Sequence, residues 1–153
     1  MIISELKNNV RGILLENESM SKHTSYGIGG KVRGYITPND VEDLIKIINI
    51  INKNNLKFYF VGSGSNLLVN DKDINAIIVT PSKSLKSLSI NKNTINAESG
   101  VMLGRLVKEA IKRNLTGLES LVGVPGTLGG AIMMNAGAWG SEISNYLISV
   151  EVI

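Results

Sequence analysis

Two short, uncharged, glycine-rich segments hold the residues whose types and spacing could do chemistry. The first, Gly62-Ser63-Gly64-Ser65-Asn66, follows a strand-like run at 57–61 and leads into Leu67-Leu68-Val69. Successive backbone N–H groups in such a turn can converge into an anion-binding nest. The two serines and Asn66 add neutral donors, an arrangement that suits a diphosphate without any lysine. The second segment, residues 124–138, contains Pro125, Gly126, Thr127, Gly129, Gly130, Asn135 and Gly137 and carries no charge. Backbone without Cβ atoms can take φ > 0 and let another surface approach closely. The strongly apolar Leu121, Val122, Ile132, Met133 and Met134 argue against a solvated linker. An uncharged apolar wall of this kind suits a flat cofactor lying against the main chain. Each segment alone also reads as a plain turn or a tight loop between buried strands, because Gly, Ser and Asn dominate turns. Together they favour a shared ligand.

Familiar nucleotide motifs do not fit. A dinucleotide fold needs G-x-G-x-x-G between strand and helix. Gly62 and Gly64 have that spacing, but Leu67 stands at the third position, and 126–130 reads G-x-x-G-G. No Gly-Lys-Ser/Thr phosphate loop, EF-hand loop or G-x-S-x-G elbow is present. The chain has no cysteine and one histidine, which rules out disulfides and thiolate chemistry and makes a zinc site improbable. The net charge is only +3 with scattered basic residues, unlike a nucleic-acid footprint, and few aromatics are available for base stacking. With 43% hydrophobic and 19% charged residues, the composition is that of a soluble globular chain. The N-terminus lacks a signal-peptide pattern, and the Ile-rich run 44–51 is broken by Lys46 and Asn49 and too short for a bilayer. Cytoplasm is the expected location.

The elements that must position the two segments can be read in outline. Residues 4–16 read as an amphipathic helix through Leu6, Val10, Ile13 and Leu14. A polar loop at 21–30 precedes a strand at 32–37. His23 lies in that loop with no carboxylate close in sequence to tune it, so a hydrogen-bonded loop role is favoured over catalysis. Asn39 is placed to cap a helix with Glu42 three residues on, and Val41, Leu44, Ile45, Ile48 and Ile51 form its expected buried stripe. The strand at 57–61 then closes a small βαβ unit, and 76–79 adds a further strand. Residues 85–90 and 94–98 read as a hairpin turning at 91–93. A second helix follows Gly100, with Leu103, Leu106, Val107, Ala110 and Ile111 on one face. Residues 146–153 alternate like a strand. A chain ending inside an apolar strand leads to the expectation that this polypeptide is a fragment of a longer one. The expected organisation is an N-terminal helical segment at 1–20, a first α+β lobe at 21–82 and a second lobe at 83–153.

Four segments in register carry a resemblance: His23-Thr24-Ser25-Tyr26-Gly27-Ile28-Gly29-Gly30, Gly62 to Val69, Gly117-Leu118-Glu119, and Val124 to Ala131 with Met134-Asn135-Ala136-Gly137-Ala138. In order and spacing they resemble the UDP-N-acetylenolpyruvoylglucosamine reductase family over nearly the whole chain. The resemblance implies an α+β, two-lobed FAD-binding domain of the vanillyl-alcohol-oxidase / p-cresol-methylhydroxylase type, with FAD between the lobes. Carried over residue by residue, it gives Gly62, Ser63, Gly64, Ser65, Asn66 and Leu67 to the diphosphate. Pro125, Gly126, Thr127, Gly129 and Gly130 would border the flavin, with Asn135 and Gly137 close behind. The implied reaction is NADPH-dependent reduction of the enolpyruvyl ether of UDP-N-acetylglucosamine to UDP-N-acetylmuramate for peptidoglycan.

Such a reaction needs donors for a developing enolate and a proton source. The family supplies these from a Tyr-Arg-x-Ser segment, a serine and a late glutamate. No Tyr-Arg pair occurs in this chain, so the catalytic residues are expected beyond Ile153 and none is assigned here. Departures from the family pattern are Gly27 for a basic residue, Asp73 for glycine, Trp139 for tyrosine and Ser141 for glycine. Two other readings remain open: the FAD-binding domain of another oxidoreductase of the same superfamily, and a non-catalytic nucleotide-binding fragment.

Overall fold

The computed structural model describes residues 2–153 and divides after Leu85 into two compact units. The first unit contains helix α1 (Ile2–Asn9), strands β1 (Ile13–Ser19) and β2 (Lys31–Thr37), helix α2 (Val41–Lys53), and strands β3 (Phe58–Phe60) and β4 (Ile74–Val79). They build one four-stranded sheet in the order β1-β2-β4-β3. The β1/β2 pair is antiparallel, whereas β4 runs parallel to both β2 and β3. The βαβ expectation therefore holds only with an insertion, because β4 lies between the two strands that α2 connects.

One face of the sheet is covered by helices, with Leu6, Leu44, Ile47, Ile51, Ile36, Ile77 and Val79 closing the larger core. The other face packs Met20, Val32, Tyr35, Val61 and Ile78 into a smaller cluster. α2 turns slightly from its expected stripe. Leu44, Ile47, Ile50 and Ile51 are buried, while Val41 and Ile45 are exposed. Isoleucine surrounds this helix, so the sheet rather than the pattern selects the inward face.

The helix expected at 4–16 ends at Asn9, and 13–19 is instead a strand paired with β2. A helix through this point would need the N–H groups of Arg11 and Gly12 for its own bonds. Both donate instead to the Asp43 carboxylate, each at 3.0 Å. Gly12 also sits so close to β2's end that a Cβ there would overlap the Thr37 carbonyl oxygen. The α2 cap also shifts by one residue. Asp40, not Asn39, is the N-cap, accepting from the Asp43 N–H at 2.9 Å. Asn39 gives its own main-chain N–H to Asp43 Oδ2 at 2.8 Å. The N–H donated into Asp40 is the main reason its carboxyl sits below the usual carboxylate range.

The second unit opens with the antiparallel hairpin β5 (Leu88–Asn91) and β6 (Thr94–Ala97). Leu85, expected in that hairpin, packs in the first unit's core. Helix α3 (Leu103–Lys112) buries Leu103, Leu106, Val107 and Ala110, and Ile111 faces outward against expectation. A short helix α4 (Leu128–Met133) and a small β7/β8 ladder (Gly137–Ala138, Ser141–Glu142) complete it. Leu103, Val107, Leu121, Ala131 and Ile143 form its core. The strand expected at 146–153 does not form. Alternation alone cannot make a strand without a neighbour for its N–H and C=O groups. None of these residues joins a ladder, and Ile148 and Val152 stand at least 80% exposed. Among the described residues no helix is long and apolar enough to cross a membrane.

Candidate functional site: two glycine-rich segments

The 62–67 segment leaves the sheet at the end of β3. Val61 N–H donates to Val79 O at 3.0 Å, continuing the β3/β4 ladder to the start of the turn. Fully buried Thr80, just past β4, reaches the Gly62 carbonyl through Oγ1 at 3.3 Å and pairs with Ser82 Oγ at 2.7 Å. Gly64 takes φ +70°, and a Cβ there would overlap the His23 carbonyl oxygen. Ser25 N–H donates to Gly64 O at 3.1 Å, so the 23–25 loop is fastened along the turn. Between these anchors, the buried Ser63 Oγ has no hydrogen-bond partner among the described residues. A buried hydroxyl left this way is uncommon. Asn66 is exposed, and Leu67 packs partly against the cluster of Met20, Tyr35 and Val61.

Several supporting residues gave no local sign of their role. Glu18, at the end of β1, accepts from the ring of His23 (Nε2 to Oε1, 3.1 Å) and pairs with Lys22 at 3.3 Å. The expectation that His23 has no tuning carboxylate is therefore corrected: the turn at 20–22 folds Glu18 back beside it. Partial burial pushes the Glu18 carboxyl upward, but the hydrogen bonds from His23 and Lys22 outweigh it and hold the group below its ordinary value. Asp71 and Asp73 clamp the glycine pair at 29–30 and the start of β2 by accepting from Gly29 N–H at 3.1 Å and Lys31 N–H at 3.3 Å. Asp73, a departure from the family pattern, thus has a local use.

In the second unit, the run at 124–138 is partly helical, not a continuous loop. Thr127 caps α4, its buried Oγ1 accepting from Gly130 N–H at 3.4 Å. The approach to α4 is stitched to the segment before α3. Leu103 N–H donates to Gly126 O at 2.9 Å, Leu128 N–H to Val101 O at 2.7 Å, and Gly129 N–H to Ser99 O at 2.9 Å. Gly126 takes φ +129°. A Cβ on Gly129 would lie 2.9 Å from Ser99 Cβ, so Gly129→Ala is expected to cost about 1–3 kcal/mol through overpacking. Urea unfolding measures it, and an unchanged midpoint would show that the Ser99 wall yields freely.

Asn135, at φ +45°, donates from Nδ2 to Glu142 Oε2 at 2.6 Å and accepts from Ser144 N–H at 3.2 Å. Its amide therefore holds the loop together. Gly137 is required by the β7/β8 ladder, where a Cβ would meet Ser141 O at 2.9 Å. Of the residues expected here, the side chains of Thr127 and Asn135 and the N–H of Gly129 serve the loop's own shape.

The FAD binding domain family matches residues 32–153. UDP-N-acetylenolpyruvoylglucosamine reductase of Clostridium botulinum is 42% identical over 138 residues, covering 90% of this chain and 45% of the relative. The enzyme of the same name from Caldanaerobacter subterraneus is 39% identical, covering all of this chain and 51% of the relative. The chain thus spans about half the length of the curated relatives it matches. Among solved structures, UDP-N-acetylenolpyruvylglucosamine reductase from Thermus caldophilus superposes with a TM-score of 0.63 at 28% identity, over 86% of this chain and 45% of that one. Cholesterol oxidase from Brevibacterium sterolicum reaches 0.62 at 17% identity, over 84% and 25% of the two chains, a likeness of fold alone. The α+β fold is accordingly of the vanillyl-alcohol-oxidase / p-cresol-methylhydroxylase type. With its sequence similar to those reductases and a family match over most of its length, this chain belongs to the FAD-binding domain family, and FAD is its cofactor.

Proposed function

We propose that this chain is the FAD-holding part of a flavoprotein reductase. In that reading the whole enzyme uses NADPH to reduce UDP-N-acetylglucosamine enolpyruvate to UDP-N-acetylmuramate for peptidoglycan, in the cytoplasm. The observation that carries the reading is the 62–66 turn, in which a buried, unpartnered Ser63 hydroxyl stands beside a positive-φ glycine with no room for a side chain. Those features fit a diphosphate. Phosphate oxygens accept hydrogen bonds strongly, and an unpaired buried donor gains most from such an acceptor.

In this proposal Gly62 to Leu67 hold the diphosphate, and the uncharged stretch from Pro125 to Gly130 borders the flavin. Asn135 and Gly137 keep that border in shape. Bound FAD supplies the hydride-transfer chemistry. The chain's own contribution is to bind and orient the cofactor and to shield it from water with apolar wall residues. No residue here is given a catalytic role. The names and 35–42% identities of the relatives support the substrate class.

The test is titration of the purified 153-residue chain with FAD, followed by absorbance and flavin fluorescence. Saturable binding is expected, with stability rising by about 2.7 kcal/mol at a hundredfold excess over Kd. The same chain is expected to show no NADPH-dependent reduction of the enolpyruvyl sugar. A folded protein indifferent to FAD would defeat the reading, and turnover would defeat its second part.

A further inference from the structure

His23 stands out because its main chain and its ring both lead to the 62–64 turn, by separate routes. The main chain is direct: the His23 carbonyl fills the space that a Gly64 side chain would need. The ring route is longer. Glu18 is an ionised acceptor, so the imidazole carries its proton on Nε2 and donates to Oε1 at 3.1 Å. The same ring stacks on Tyr35, centroids 3.8 Å apart and 18° from coplanar. Tyr35 is buried at the centre of β2 and belongs to the same packed cluster as Val61, the residue that leads into the turn. The Gly62 carbonyl that follows Val61 is held by Thr80 Oγ1 at 3.3 Å. The two routes therefore end on either side of Ser63, the residue with the unpartnered hydroxyl.

We propose that His23 is a positioning residue for the FAD diphosphate turn, its ring gripped by Glu18 and Tyr35 so that its backbone presses Gly64 into place and Ser63 Oγ faces the ligand. The proposal rests on the reading that 62–66 holds the diphosphate. His23 touches no phosphate and carries no proton to the reacting atoms. It acts through the turn alone, and this distinguishes it from a residue that merely adds stability. Loss of a generic packing residue lowers the unfolding midpoint but leaves the folded site's affinity unchanged. Loss of a positioning residue weakens affinity, and it does so only while the group being positioned is present.

The experiment is an FAD titration by fluorescence quenching on the whole chain. The variants are His23→Ala, His23→Phe, which keeps the stack, His23→Gln, which keeps a polar link to Glu18, Ser63→Ala, and the double variant His23→Ala with Ser63→Ala. Thermal unfolding without FAD is recorded for each. His23→Ala is expected to weaken FAD binding by about tenfold, the scale of one charge-assisted hydrogen bond. His23→Phe and His23→Gln should each fall between it and the wild type. The double variant should bind within about twofold of the weaker single variant, because coupled residues are not additive. Unchanged FAD affinity in the His23 variants overturns the proposal, even if their melting points fall, and so do multiplying losses in the double variant. If His23→Ala does not fold, the Phe and Gln variants decide by the same criterion. Absence of binding by the wild type would overturn the FAD reading itself, and this proposal with it.

Discussion

Gly64→Ala is expected to lower stability by about 3 kcal/mol and to abolish measurable FAD binding. Two costs combine at this position. An L-residue at φ +70° pays roughly 1–2 kcal/mol for a left-handed backbone. The added methyl must also displace the His23 carbonyl, and overpacking of this kind costs about 1–3 kcal/mol. The obstacle is main chain, which cannot swing aside like the end of a side chain. Relief has to come from moving the 23–25 loop or the turn, and either motion disturbs the Ser25–Gly64 hydrogen bond. Urea unfolding measures the first effect and FAD titration the second. Wild-type values in both would show that the turn is more pliant than its geometry implies. Gly27 is the control: it also has positive φ, but a Cβ there meets nothing within 4 Å, so alanine should cost only the backbone term.

Asp43→Ala is expected to remove about 3–5 kcal/mol, a large share of the roughly 5–15 kcal/mol that holds an ordinary domain together. The carboxylate is almost fully buried and accepts three main-chain N–H groups, from Arg11, Gly12 and Asn39, at 2.8–3.0 Å. Alanine would leave all three donors without that partner, at about 1–3 kcal/mol for each one that water does not reach. Asn in the same place keeps one acceptor but turns a donor toward another N–H, so its cost should be intermediate. Chemical denaturation tests the ranking. A loss below about 1 kcal/mol for alanine would mean that water replaces the carboxylate at that junction. The exposed ion pairs of Arg11 with Asp40 and Glu42 lie beside it and should matter far less, as surface pairs generally do.

Both sites show what could be read in advance. The Gly-Ser-Gly-Ser-Asn turn was legible because strand, glycines and small polar residues are contiguous, and local chemistry alone announces a turn there. α2 and α3 were legible from their periodicity. The role of Asp43 was not. In sequence it is one more acid in the first turn of a helix, whereas its partners Arg11 and Gly12 are distant and carry no mark of needing it. Glu18 and His23 are only five residues apart, yet their meeting depends on a 3₁₀ turn that neither residue announces. The helix expected at 4–16 failed because pairing with β2 took Ile13 and Leu14 into a sheet. The strand expected at 146–153 failed for the opposite reason, an apolar alternation with no partner. In the second glycine-rich run, the glycines around Thr127 hide its cap on a six-residue helix.

The insertion of β4 between β2 and β3 bears on the order in which the molecule can assemble. Among the described residues β3 has β4 as its sole ladder partner, and the turn after β3 is fastened by Val79 and Thr80, which emerge from the ribosome later than the turn itself. A nascent chain released only as far as Val69 has the 23–25 loop but lacks the Val79 and Thr80 side of the scaffold that shapes that turn. The complete turn must therefore wait until the polypeptide has threaded back through the middle of its own sheet, a non-local closure of the kind that slows folding.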